Sequence, residues 1–234
     1  IKILKGDTMY KIEKNLNRLY RKETTFFLDP KEQLELAKKL KKKPYQIYIP
    51  YPDSEKNIFY IKEEPKVILY KIKSKIPLEH REILGTLFSL NITSELFGDI
   101  VITNNHYYIY VLESIAPYIK NNLLLIKNSR IELIEVPLET LKEYHKEYET
   151  IEIIASSTRI DTVISRLIQT SRPNIIEKIK NKEIILNYDI LKNNSYQLKE
   201  NDIFSIRRYG KYQYIGIKKE TKSKNYIIEC KKYK

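Results

Sequence analysis

Cysteine, glycine and alanine are scarce in this chain. Of 234 residues one is cysteine, Cys230, which excludes an intramolecular disulfide framework and a zinc cluster built on cysteines. The five glycines, Gly6, Gly85, Gly98, Gly210 and Gly216, are too few and too scattered for a phosphate-cradling loop. Neither G-x-G-x-x-G nor G-x-x-x-x-G-K-S/T occurs, so a Rossmann or P-loop enzyme is excluded. No apolar run approaches the roughly 18 residues of a membrane span. The first ten residues are charged and lack a secretory apolar stretch, so a cytoplasmic location is expected. His80, His106 and His145 are far apart with no H-x-x-x-H pair, and no metal or other cofactor is expected.

Acidic charge is also short, and the net charge is +13. A polyanionic partner would explain that, but so in part would codon bias, since the chain holds 38 isoleucines and 3 alanines. Distribution decides more than the total. Residues 1–150 carry +4, residues 151–234 carry +9, and 207–234 alone hold 10 basic and 2 acidic side chains. Codon bias acts evenly along a chain, so this local excess calls for another cause. A basic tail is expected there. Its run Arg207-Arg208-Tyr209-Gly210-Lys211-Tyr212 interleaves charge with aromatic rings, which suits phosphate contact plus base stacking.

The pattern predicts an α+β chain. Two helices are expected over 8–43, the first after Asp7-Thr8 and the second opened by Asp29-Pro30 and closed by the run Lys38–Lys43. Strands are expected at 45–49, 58–61 and 67–76, with Pro50 and Pro52 turning between the first two. A helix over 78–90 contains Gly85, read as a point of close helix packing. Gly98-Asp99 reads as a turn into a strand at 100–103. Asn104-Asn105 reads as a hairpin into 107–112, where Tyr107, Tyr108 and Tyr110 divide between core and surface. A helix at 114–125 and a strand at 130–136 complete a βαββαβ order over 67–136. That order is ferredoxin-like and is shared by RNA-recognition-motif domains. The expected division is an N-terminal helical and strand region over 1–76, a ferredoxin-like domain over 67–136, a linker over 137–150 and a second domain over 151–234. The second domain opens with a strand at 151–154, followed by short helices over 159–170 and 172–181 and a small sheet of strands at 184–187, 203–209, 212–218 and 225–230.

Arg159 and Arg172 stand at the starts of the two short helices, with Ser171 placed to cap the second. Helix N-termini favour phosphate, and arginine can grip it in a bidentate way. Both arginines are expected at the surface, where reversing their charge would leave stability untouched. Asp161 is expected to orient Arg159 or cap the helix.

These residues carry a resemblance. Thr158-Arg159-Ile160-Asp161, Ser171-Arg172, Ile184-x-Leu186-Asn187 and Asn201-Asp202-x-Phe204-Ser205-Ile206 together resemble the S-four RNA-binding domain, also called the alpha-L motif. The resemblance implies RNA contacts from Arg159, Ser171, Arg172, Lys180 and Lys182, to which the basic-aromatic run adds Arg207, Arg208, Tyr209 and Lys211. The family has glycine where Lys182 stands and before Asp202, where this chain has Asn201. Phe27-Leu28-Asp29-Pro30-Lys31-Glu32-Gln33, Leu78-Glu79-His80-Arg81-Glu82-Ile83-Leu84-Gly85 and Phe97-Gly98-Asp99-Ile100 are similar to the N-terminal part of the YlmH family. That resemblance implies a bacterial, non-catalytic RNA-binding protein acting in rescue of stalled ribosomes. Its partners would be ribosomal RNA of the large subunit and peptidyl-tRNA, and it would act as a monomer without a membrane. The rival readings are an RNA-modifying enzyme with an appended S-four domain, such as a pseudouridine synthase or methyltransferase, and a membrane-surface module using the basic tail. Against the first, the trio Arg159-Ile160-Asp161 is already used by the S-four motif. Against the second, no basic amphipathic helix accompanies the tail.

Overall fold

The computed structural model describes residues 5–41, 43–104 and 106–233, with side chains from residue 9 onward. Asn105 and Lys42, parts of the expected hairpin turn and lysine run, lie outside them. The chain divides into two units, Ile1–His145 and Lys146–Lys234.

In the first unit α1 spans Lys5–Tyr20 and α2 spans Pro30–Leu40. Since α1 is already helical at Lys5, Asp7 and Thr8 lie inside it rather than capping it. Asp29 does cap α2. Its carboxylate accepts from the Glu32 amide at 2.8 Å, and the Glu32 side chain accepts from the Asp29 amide at 3.0 Å. This reciprocal box stabilises the helix start by about 1 kcal/mol. Ile12, Leu19, Leu36 and Leu40 pack the two helices on each other and on Leu28 and Phe59. Strands β1 (Gln46–Tyr48) and β2 (Ile58–Tyr60) pair as a separate two-stranded ribbon.

The main sheet follows from β3 (Val67–Ser74), α3 (His80–Ser89), β4 (Phe97–Thr103), β5 (His106–Leu112), α4 (Ala116–Asn122), β6 (Leu125–Ile126) and β7 (Ser129–Val136). Its strand order is β4-β5-β3-β7-β6, all antiparallel. The first four are the ferredoxin-like set, and β6 is a two-residue addition too short to read from the sequence. Helix α4 starts later and ends earlier than the 114–125 pattern predicts. Within residues 137–150 a short 3-10 helix at Leu138–Leu141 buries Leu141 in the first unit, the boundary between the units falls after His145, and Tyr148, Glu149 and Thr150 belong to the next strand.

Both faces of this sheet carry a core, the second over only part of its length. Tyr70, Ile72, Tyr107, Ile109 and Val111 face α3 and α4 in one core. Leu69, Val101, Tyr108, Tyr110 and Leu112 face a second core with Phe27, Tyr51, Ile58 and Leu141. Tyr107, Tyr108 and Tyr110 are therefore all core residues, none a surface one. The near-continuous apolar run of β5 is what a doubly covered strand requires.

The second layer rests on a close approach. Gly98 and Asp99 do not form a turn; they sit in a β-bulge of β4, between the Phe97 and Ile100 pairings. A Cβ on Gly98 would stand 2.9 Å from a ring carbon of Phe27 and 3.1 Å from Tyr110 Cβ. Asp99 accepts from the Tyr51 hydroxyl at 2.7 Å and the Glu55 amide at 2.8 Å. Desolvation and that carboxylate push the Tyr51 phenol above its ordinary range. Lys56 donates to the carbonyls of Ser94 at 2.6 Å and Phe97 at 3.0 Å, and burial pushes its ammonium down to about 8. Gly85, by contrast, has no neighbour within 4 Å of an added Cβ and is not a packing glycine.

In the second unit β8 (Tyr148–Ala155) precedes α5 (Ile160–Leu167), α6 (Arg172–Lys180), β9 (Ile184–Leu186), β10 (Asp189–Ile190), β11 (Ile203–Ile206), β12 (Gly210–Glu220) and β13 (Tyr226–Tyr233). The sheet order is β10-β9-β11-β12-β13-β8. Ile160, Val163 and Ile164 of α5 and Ile175 and Ile179 of α6 pack on Phe204, Tyr212, Tyr214 and Ile228. Residues 207–233 are thus no tail. They are mostly the two inner strands β12 and β13, whose alternate residues Tyr212, Tyr214, Ile228 and Cys230 are buried. Burial pushes the Cys230 thiol up to about 12, so it is inert at neutral pH.

The close approach at Gly98 predicts that Gly98→Ala destabilises the chain by about 1–3 kcal/mol through overpacking against Phe27. A fall in the denaturant midpoint is expected, and partial recovery in the Gly98→Ala/Phe27→Leu double variant. An unchanged midpoint in the single variant would show that the ring yields freely.

Candidate nucleic-acid interface

Helices α5 and α6 of the second unit are short, and their starts are held together by one carboxylate. Asp161 has no exposed surface. Its Oδ1 accepts from Arg159 Nε at 3.1 Å, and its Oδ2 accepts from Arg159 Nη2 and Arg172 Nη2, each at 2.9 Å. Burial alone would raise the carboxyl, but the two arginines outweigh it and bring it down to about 2. The guanidiniums are only partly enclosed, with side chains 33% and 48% exposed. Both therefore keep N–H groups at the surface, pre-aimed by a partner behind them. Ser171 caps α6, its hydroxyl accepting from the Asn174 amide at 3.4 Å, with Pro173 in the first turn.

The expectation that reversing Arg159 and Arg172 would leave stability untouched is overturned by this geometry. Two glutamates would leave a buried carboxylate unpaired and add like charge beside it, which costs several kcal/mol. Asp161 does not serve one arginine alone, as the sequence suggests, but bridges both.

A second basic cluster forms at the other end of α6, about 12 Å away along the helix at 1.5 Å per residue. Lys180 ends the helix and is exposed, and Lys182 follows at φ 58. The Arg207 amide donates to the Glu183 carbonyl at 2.9 Å, which ties the hairpin tip Arg207-Arg208-Tyr209 to this turn. Arg208 takes φ 73, and all three tip residues are exposed. Lys178 stands over the Tyr209 ring, 5.6 Å from its centroid, and pairs with Glu183 at 3.0 Å. Lys178, Arg207 and Arg208 together hold the Glu183 carboxyl below its ordinary value. The sequence reading marks Lys178 only as a charge where the S-four pattern is usually apolar, not as an RNA contact. Its signal is Glu183 on the far side of the Lys182 turn.

The structure thus joins Lys180, Lys182, Arg207, Arg208 and Tyr209 in one cluster, and Arg159, Ser171 and Arg172 in another. Lys211 joins neither. Strand alternation turns it to the sheet face away from the helices, with its ammonium 5.2 Å from the Tyr188 ring centroid and 4.8 Å from that of Tyr233. The other motif residues are architectural. Asn187 bridges Asp202 Oδ1 at 2.7 Å and the Ile203 amide at 2.9 Å, and Asp202 Oδ2 accepts from the Lys199 amide at 2.8 Å. Lys182 and Asn201 (φ 69) both take the left-handed conformation that glycine favours.

Among the described residues no group of three or more His, Cys, Asp and Glu is placed to hold a metal ion, and no helix is long and apolar enough to cross a membrane.

Residues 62–140 match the family described as "Putative RNA-binding domain in YlmH". The matched segment covers the main sheet of the first unit, from before β3 to the 3-10 turn after β7; the second unit lies outside it. Over 231 residues the chain is 24% identical to "Ribosome-associated protein quality control protein P2" of Bacillus subtilis (strain 168), covering 92% of this chain and 89% of that one. Among solved structures, "Cell division protein ylmH from Streptococcus pneumoniae" aligns with a TM-score of 0.49 at 16% identity, over 61% of this chain and 96% of that one.

The Asp161 pairing predicts a pH signature. The folded carboxyl titrates near 2 and an unfolded one near 3.8, so its stabilisation is present above pH 3.8 and is lost as pH falls towards 2. The stability difference between the wild type and Asp161→Asn should therefore shrink by about 2 kcal/mol over that window. A pH-independent difference would show that the charge of Asp161 plays no part.

Proposed function

We propose that this chain is a non-catalytic RNA-binding protein of the YlmH type that acts on the ribosome. Its finer role is contact with ribosomal RNA of the large subunit and with peptidyl-tRNA during rescue of stalled ribosomes. Residues 151–234 serve as its S-four domain. The observation that carries this reading is the pair of basic clusters at the two ends of α6, one organised by Asp161 and the other by the Lys182 turn and the hairpin tip. The matched domain is described as RNA-binding, and the Bacillus relative is named for ribosome-associated quality control.

Each cluster has a physical part to play. Arg159 and Arg172, with Ser171 between them, offer oriented N–H donors at two helix starts, where phosphate is favoured. Lys180, Lys182, Arg207 and Arg208 supply charge a helix length away, and Tyr209 supplies an exposed ring. A duplex read this way is recognised by backbone and shape, because the deep groove of A-form RNA hides its base edges. Asp161 is fully enclosed and both its oxygens are engaged, which speaks against a role as a pseudouridine-forming nucleophile. The chain acts as a cytoplasmic monomer that needs no cofactor.

Sedimentation with ribosomal subunits followed by crosslink mapping tests the reading: co-migration with the large subunit and crosslinks from the α6 region are expected, and absence from ribosomal fractions would refute it. Salt dependence tests the residues. Replacing Lys180, Lys182, Arg207 and Arg208 with alanine should reduce the slope of log K against log salt by about one unit for each phosphate these side chains touch. Lys211→Ala should leave the slope unchanged. An unaltered slope in the fourfold variant would remove this cluster from the interface.

A further inference from the structure

The second layer of the first unit covers only part of the β3–β5–β7 face. At the covered end lie Leu69 and Tyr110 under Phe27, Tyr51 and Leu141. Towards the other end the same face continues with Lys71, Tyr108 and Ile134, which are direct neighbours across the sheet, and then with Lys73 opposite Glu132. Strand alternation puts His106 on this face beside Tyr108. There the sheet has an open recess of about 380 Å³ lined by Lys71, Ile72, Lys73, Ser74, His106 and Ile134.

The chemistry of the recess is specific. The His106 ring is exposed and lies nearly parallel to that of Tyr108, with centroids 6.4 Å apart and planes 12° apart. The His106 Nδ1 is 2.8 Å from the Asn104 carbonyl, which fixes the ring's orientation. Lys71 and Lys73 bring two positive charges against one negative, since Lys73 shares Glu132 at 3.4 Å with both side chains well exposed. An exposed flat ring, backed by the buried Tyr108, beside a surplus of positive charge offers the components that bind an unpaired nucleotide: a stacking surface for the base and ammonium groups for the phosphates. A single strand suits the site better than a duplex, because the base must leave its helix to reach a recess in a sheet.

We propose that this recess binds an unpaired nucleotide of single-stranded RNA, with His106 as the stacking ring and Lys71 and Lys73 as the phosphate contacts. The inference rests on the RNA-binding reading above and adds to it a second contact, on the first unit and of a different kind.

The test uses the full chain and two probes, a fluorescein-labelled octauridylate and a labelled ribosomal RNA hairpin. The His106→Ala/Lys71→Ala variant should lose about fivefold or more in affinity for octauridylate and keep its affinity for the hairpin. Replacement of Lys180, Lys182, Arg207 and Arg208 should weaken the hairpin complex. Thermal midpoints identify any folding defect, and His106→Phe, which keeps a ring, should restore octauridylate binding on the Lys71 background. A 4-thiouridine in the octauridylate should crosslink to β3 or β5. Octauridylate binding that is indifferent to the His106 and Lys71 changes, or crosslinks confined to the second unit, overturns this inference while the proposed function stands. Failure of the wild type to bind either probe overturns both. Binding of polyglutamate in place of octauridylate, abolished in the same variant, would assign the recess to an acidic protein segment and likewise overturn it.

Discussion

One buried carboxylate governs the second unit. Asp161 is shut off from water and holds two arginines, and everything on that face is arranged around it. An anion in such a place is tolerated only when it is paired, and the pairing fixes where the two guanidiniums point. Arg159 begins α5 and Arg172 begins α6, so the same interaction also sets the relation between the helices. Fold and proposed binding surface are therefore not separable at this site. A change to either arginine alters the packing of α5 against α6 before it alters any contact with a ligand.

The first unit depends on a missing side chain. Because Gly98 has no Cβ, Phe27 lies directly on the bulge of β4, and the rest of the N-terminal segment can settle on the sheet behind it. Tyr51, Asp99, Glu55 and Lys56 then close the layer with hydrogen bonds. Two stretches separated by about seventy residues, Phe27–Gln33 and Phe97–Ile100, thus meet in space. The layer also removes half of the sheet face from solvent, which distinguishes this arrangement from an RNA-recognition motif with a fully open sheet.

Much of this is legible in the residues, and the gaps have physical causes. The capped starts of α2 and α6 are plain because Asp29-Pro30 and Ser171-Arg172-Pro173 are local signals. The βαββαβ order is plain because alternation marks each strand. The double burial of β5 is not, since the covering layer comes from residues about thirty to eighty positions away. The inner place of β12 and β13 in the sheet is hidden by their lysines, although Tyr212, Tyr214, Ile228 and Cys230 already alternate as a buried strand face should. For Lys211 the charge is legible but the side of the sheet is not. Asp161 reads as the partner of one arginine because its second partner is eleven residues further on, across a helix break.

The turns carry a last consequence. Thirteen described residues other than glycine hold positive φ, among them five asparagines and five lysines. Asparagine tolerates that region well, but lysine and arginine hold it at a disadvantage of about 1 kcal/mol or more each. Lys182 and Arg208 are two such residues, and both sit in the basic cluster. Glycine at either point would make a sturdier protein with a weaker field. A laboratory search for heat-resistant variants would thus be drawn to these two turns first, and would erode the surface charge in proportion to its success.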